Sequence, residues 1–273
     1  MRSGLPGWLL ASWYVRPFPE NVGREVRTAV AGSGVRAAVS DVSAVNAFFS
    51  VDMRETGSGW LPLRELWEHP GYLEERVSEV RTRLASRAGV AVSRVERRVA
   101  ASIMYQGLAS RLLSPTVGAA LCHGVALDPG ALRWRPEGGM LPLALVGEPP
   151  ASDTFHTPRV DSLAELIHQR VVQGTLAPIA TALRSQVKVA PRLLWGNAAS
   201  SLAGTVQALA RDRPWVTDDA VVLTELLLGR EPFTGLGEFD RSGEQHAFVR
   251  ATCCLYYRIP GCGMCGDCAL LRR

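Results

Sequence analysis

Lysine is all but missing from this chain: Lys188 is the only one among 30 cationic residues. The net charge of +4 is therefore carried by arginines, and they are spread along the whole length. Nucleic-acid binding favours a clustered basic stripe, so this diffuse excess reads as a solvated surface. No apolar run approaches 18 uninterrupted residues, which leaves no candidate for a transmembrane helix. The opening MRSGLPGWLLASWYVRPFPE is interrupted by Trp8, Trp13 and Tyr14, is followed at once by Arg16, and lacks a small-residue cleavage pattern. It is a poor secretory signal, and a cytoplasmic, reducing location is expected. No GxGxxG follows a strand pattern and no flavin-binding pattern is present, so the chain is not expected to take hydride from NAD(P)H itself. The five histidines, His69, His123, His156, His168 and His246, form no HxH or HxxxH pair and read as surface or core residues rather than ligands. Cysteine is scarcest of all through the body, where Cys122 stands alone in the first 252 residues and reads as a buried apolar thiol.

What remains is ordinary globular material. Apolar residues make up 47% and charged residues 21% of 273, enough to bury a core without disulfides. The stretch LPLRELWEHPGYLEERVSEVRTRLASRAG has helical spacing with a break at Pro70-Gly71, which predicts a short helix and then a longer amphipathic one. VSRVERRVAASIMYQGLASRLLSPTVGAALCHG predicts a core helix capped by Ser93, interrupted at Ser114-Pro115 and then resumed. Between about 125 and 150, Pro and Gly punctuate the chain, and two short strands should flank the turn from Pro136 to Gly139. Helices return from Ser162, with Pro191 in the first turn of one and DDAVVLTELLLG forming another. The stretch from Gly229 to Cys254 reads as turn-rich. The fold class expected is α+β: a mainly helical body over 1–245 with a small central hairpin or sheet, and a cysteine-rich C-terminal segment over 246–273.

That segment, CCLYYRIPGCGMCGDCALLRR, holds five cysteines: Cys253, Cys254, Cys262, Cys265 and Cys268. In a reducing compartment such a cluster suggests metal or redox chemistry. Gly261, Gly263 and Gly266 let the backbone turn tightly and bring amide N–H groups toward sulfur. Zinc takes four thiolates but usually from two separated knuckles, and an adjacent Cys-Cys pair is an awkward knuckle. Disulfides would strain the adjacent pair. An iron–sulfur cluster tolerates varied spacing, so spacing favours it over zinc only slightly.

The tail resembles the ferric siderophore reductases of the FhuF type, whose signature is Cys-Cys, ten residues, then CxxC. Here Cys253-Cys254 are followed by the ten residues Leu255 to Met264 and then Cys265-Gly266-Asp267-Cys268. LLWGNAASSL and the context of Arg258 and Pro260-Gly261 are similar too, in a body that matches more softly. The resemblance implies that Cys253, Cys254, Cys265 and Cys268 hold a 2Fe-2S cluster. It implies one-electron reduction of Fe(III) in a siderophore, expected to be of hydroxamate type, and release of Fe(II). The electrons would come from a separate ferredoxin or flavoprotein, with a peripheral position at the inner membrane surface as a further expectation and no nucleic-acid partner. Cys262 falls outside the signature and reads as a bystander thiol, the sharper alternative being a spare ligand. Arg258 could balance cluster charge, and Arg250, Tyr256, Tyr257, Arg258 and Trp195 are candidates for contact with the siderophore. The alternatives are a metal or redox sensor with a structural zinc or cluster, and a siderophore-binding chaperone. A remoter likeness to the C-terminal domain of siderophore synthetases carries no ATP-binding loop.

Overall fold

The computed structural model describes residues 34–137, 140–149, 154–156, 159–240 and 247–272. The N-terminal segment read above for a leader, His246, and Gly139 of the expected turn lie outside the described residues. In chain order the elements are helix α1 (Val35–Val42), strands β1 (Asp52–Arg54) and β2 (Leu61–Pro62), and helices α2 (Glu65–Glu68), α3 (Pro70–Ala88) and α4 (Arg97–His123). Strands β3 (Val125–Leu127), β4 (Leu132–Trp134), β5 (Leu143–Val146) and β6 (Thr154–His156) follow. Helix α5 (Val160–Ile167) runs through a π-helical stretch, His168–Leu176, into α6 (Ala177–Gln186). Helices α7 (Pro191–Asp212) and α8 (Thr217–Leu228) and strands β7 (Gly237–Asp240) and β8 (Ala247–Arg250) complete the chain. The architecture is α+β and mainly helical, as expected.

The expected pair of strands around the central turn is β4 and β5, antiparallel with Leu132 opposite Leu145 and Trp134 opposite Leu143. It sits inside a four-stranded sheet of order β1-β5-β4-β2, in which β1 runs parallel to β5. Two further antiparallel pairs are β3 with β6 and β7 with β8. Within the stretch 229–254, read as turn-rich, residues 229–236 are turns as expected, and the last of these pairs is the departure, joining residues on both sides of position 245.

Two helix readings are also corrected. Ser93 lies in a 3-10 turn, Val92–Arg94, and α4 starts only at Arg97 after an extended, buried Val95. The break at Ser114-Pro115 does not occur, and α4 runs unbroken through Pro115. An interior proline costs about 3 kcal/mol or more. Here Leu112, Leu113, Val117 and Ala119 around it are all buried, and their packing offsets that cost so that the helix continues. The Thr116 hydroxyl donates to the Leu112 carbonyl at 3.0 Å in the disturbed turn. Downstream, the widened turns of the π stretch are tied by Thr175, whose hydroxyl donates to the Arg170 carbonyl five residues back at 3.0 Å.

Helix α4 packs along α7 at the centre of the molecule. Small residues, Ala101 and Ala109 on one helix and Ala198 and Ala203 on the other, are buried in this layer. Close approach lets short polar side chains bridge the two helices. Asn197 Nδ2 donates to the Ser102 carbonyl and hydroxyl at 2.9 Å each. The Ser201 hydroxyl donates to the Gln106 carbonyl at 2.9 Å, and Ser114 meets Thr205 at 2.8 Å. This seam leads from the middle of the core to the cysteine-bearing tail.

Candidate metal centre

Strand β8 delivers the tail to the N-terminal half of α7. Its last residue, Arg250, is 1% exposed, a large burial for a guanidinium. The charge is met on every side: Nε and Nη2 donate to the two Asp267 carboxylate oxygens at 2.8 and 2.9 Å, and Nη1 donates to Asn197 Oδ1 at 2.8 Å. Nη2 also bonds the Ser200 hydroxyl, and the Arg250 amide donates to the Asp267 carbonyl at 3.3 Å. Asp267 stands between Cys265 and Cys268, so this fork fixes the CxxC turn. On the other side the Ser102 hydroxyl donates to the carbonyl of Cys254 at 2.6 Å and fixes the Cys-Cys turn. Asn197 touches both Arg250 and Ser102, and the two cysteine pairs are thereby tied to one buried polar network.

Local backbone explains how adjacent cysteines are presented. Leu255 adopts the left-handed region at φ 69, unusual for a residue with a side chain. That turn brings its own N–H to the Cys253 sulfur at 3.3 Å, and the next amide, of Tyr256, bonds the Cys254 sulfur. The amides that reach sulfur are thus those of Leu255 and Tyr256, whereas the sequence pointed to Gly261, Gly263 and Gly266. Gly261 does supply a turn, at φ 77.

The Cys254 and Cys265 sulfurs are 3.5 Å apart. Contact with Cys265 and the positive charge of Arg250 outweigh burial and hold the Cys254 thiol below its ordinary value. Cys265 is pushed up by the same contact, since the pair shares one proton, and burial pushes Cys253 up. Burial alone would favour the neutral acid at Asp267, but the charge and hydrogen bonds of Arg250 overcome it and hold the carboxyl below the usual range. Cys254 and Cys268 are buried, whereas Cys253 and Cys265 are half-buried, so the group has one side in the protein and one toward solvent.

These donors fit a 2Fe-2S cluster. Two thiolates on one tetrahedral metal, each at about 2.3 Å, stand about 3.8 Å apart, close to the Cys254–Cys265 separation. A cluster of this kind takes four thiolates, two to each iron. Among the described residues no three Cys, His, Asp or Glu side chains gather tightly enough to hold a single metal ion.

The other residues named from sequence are distributed as follows. Cys262 is half-buried beside the core, with its sulfur bonded by the Tyr256 hydroxyl. Burial first, and that bond second, push the Tyr256 phenol up to about 12. Arg250 is inside the protein, which corrects its place on a siderophore-contacting surface. Trp195 is packed between Tyr105 and Phe233, with ring centroids 6.3 and 5.9 Å away in edge-on geometry. Tyr257 is 43% exposed, and Arg258 is exposed and paired with Glu96 at 2.6 Å, so these two do face solvent beside the tail. Ser102, Ser200 and Asp267 were missed. Their signal was a polar residue on an otherwise apolar helix face, or inside the CxxC itself.

Residues 250–270 match the family model described as the FhuF 2Fe-2S C-terminal domain. No curated protein and no solved structure matches the chain.

Proposed function

We propose, from a C-terminal segment of the FhuF 2Fe-2S type, that this protein reduces Fe(III) in a ferric siderophore by one electron and so releases Fe(II). The observation that carries the reading is the coincidence of the matched segment with four cysteines tied in two pairs to the core. When bound, the cluster supplies a one-electron donor of low potential, about −400 mV for all-thiolate centres of the plant ferredoxin type. Fe(III) is hard, highly charged and tightly held by oxygen donors such as hydroxamates. Losing one charge weakens every bond in that cage.

The chain's own part is to hold and to shield. Cys253, Cys254, Cys265 and Cys268 would bind the irons, and the Leu255 and Tyr256 amides and Arg250 would offset the negative charge gathered there. Burial of Cys254 and Cys268 keeps water from one side. The half-buried side of Cys253 and Cys265 is the direction from which a siderophore and an electron donor would approach, past Tyr257 and Arg258. An external ferredoxin or flavoprotein is the proposed donor. Among the described residues no helix is long and apolar enough to cross a membrane, and the proposed workplace is the cytoplasm, at or near the inner membrane surface.

The test is anaerobic. Protein purified with its cluster is reduced with dithionite, freed of excess reductant and mixed with a ferric trihydroxamate and a Fe(II) chelator. Loss of the ferric complex's visible band, with matching growth of the Fe(II) chelate, is expected. An unchanged ferric band beside a reduced cluster overturns the reading and favours the sensor or binding alternatives.

A further inference from the structure

We propose that Arg250 and Asp267 set the reduction potential of the cluster with opposite signs, Arg250 raising it and Asp267 lowering it, in addition to clamping the two cysteine pairs together. The carrying observation is placement. A fully buried guanidinium and a carboxylate from inside the CxxC form a two-pronged ion pair at 2.8 and 2.9 Å, and the guanidinium is kept from turning by Asn197 at 2.8 Å.

Reduction adds one electron, and hence one negative charge, to the group held by the four thiolates. A fixed positive charge nearby stabilises the reduced form and a fixed negative charge destabilises it. The effect is larger in the interior than in water because the surrounding dielectric is lower. Charge and hydrogen bonding around the ligands are among the levers that spread cluster potentials over a wide range. Both charges stand beside the same ligands: Asp267 lies between Cys265 and Cys268 in the chain, and the Arg250 guanidinium is held on its carboxylate. A neutral pair of this kind lets the protein bury a cation beside the cluster without leaving a lone charge in the core. Potential is then adjustable by editing one partner.

The test is an anaerobic potentiometric titration of the cluster-loaded full chain, followed by visible absorbance and by the EPR signal of the reduced state. Asp267→Asn keeps the shape and is expected to raise the potential. Arg250→Gln is expected to lower it, with a shift of about tenfold in the reduction equilibrium, or about 59 mV for one electron. Arg250→Lys, which keeps the charge, should stay near the parent value. A purely structural role predicts something else, since loosening the tail admits water in every variant and moves all potentials in the same direction. Shifts of one sign in both Asp267→Asn and Arg250→Gln, or no shift in either, overturn the proposal. Should Arg250→Gln fail to hold its cluster, Ser200→Asp gives the same answer from a less buried position: a carboxylate added beside Nη2 must lower the potential, and an unchanged or raised value overturns the proposal. The inference rests on the cluster and not on the substrate. A failed siderophore assay leaves it standing, and a same-sign result leaves the reductase reading standing.

Discussion

Thr252 is seated directly on Gly196: a methyl group on this helical glycine would lie 1.9 Å from Thr252 Oγ1 and 3.1 Å from its Cβ. Thr252 precedes Cys253, the first of the proposed ligands, so the glycine in LLWGNAASSL fixes how closely the tail approaches α7. Gly196→Ala should destabilise the protein by about 1–3 kcal/mol, the usual range for overpacking, and lower iron content per chain. Thr252→Ala in the same chain should restore both. Thermal unfolding with iron and sulfide analysis checks this, and a single variant indistinguishable from the parent would show that the contact relaxes freely.

The four-ligand assignment separates the five cysteines sharply. Cys253→Ser and Cys268→Ser should lose the visible bands of the cluster and all ferric siderophore reduction. Cys262→Ser should keep both, because its sulfur is engaged by the Tyr256 hydroxyl. Two irons and two acid-labile sulfides per chain in the Cys262 variant are the expected analysis. Their loss would move Cys262 into the ligand set.

Ser102 is two ties in one, donating to the Cys254 carbonyl and accepting from Asn197. Ser102→Ala leaves both partners buried with one bond fewer, at a cost of about 1–3 kcal/mol. Cluster loss during chelator challenge should accelerate accordingly. Ser102→Thr, which retains a hydroxyl, should recover most of the difference if the helix seam tolerates one more methyl. An unaltered rate of iron loss in Ser102→Ala would show that the tail is held without this bond.

Cys122 offers a pH test well away from the cluster. Burial pushes its thiol up to about 12, and the thiolate is the reactive form. Alkylation by iodoacetamide should therefore be slow at pH 8 and rise steadily through pH 10, where an ordinary thiol near 8.5 has already levelled off. Mass spectrometry of the Cys122 peptide resolves it from the tail. A plateau near pH 9 would mean that the site opens in solution.

How much of this was legible beforehand depends on the kind of signal. Helix α3, its start at Pro70, the start of α7 at Pro191 and the β4–β5 pair were readable because periodicity and proline placement are local. Pro115 misled for the same reason: the local rule is sound, but burial around it outweighs the cost, and burial is a tertiary fact. The cysteine pattern pointed to a cofactor through the family it resembles and said nothing of what holds it. Ser102 and Cys254 are 152 positions apart, and Asn197 and Arg250 are 53 apart, so no window of sequence contains either pair. Arg250 showed the limit most plainly, since a charged residue beside a reactive segment suggests a surface role until its burial is seen.

The body grips the tail by a carbonyl, an amide and a carboxylate, and leaves the sulfurs of Cys253 and Cys268 out of that grip. Where small zinc domains collapse when stripped of metal, this tail has its own reasons to stay docked, and an emptied protein should present its thiols ready-arranged for a fresh cluster. Repair after oxidative loss of iron then becomes a matter of refilling rather than refolding.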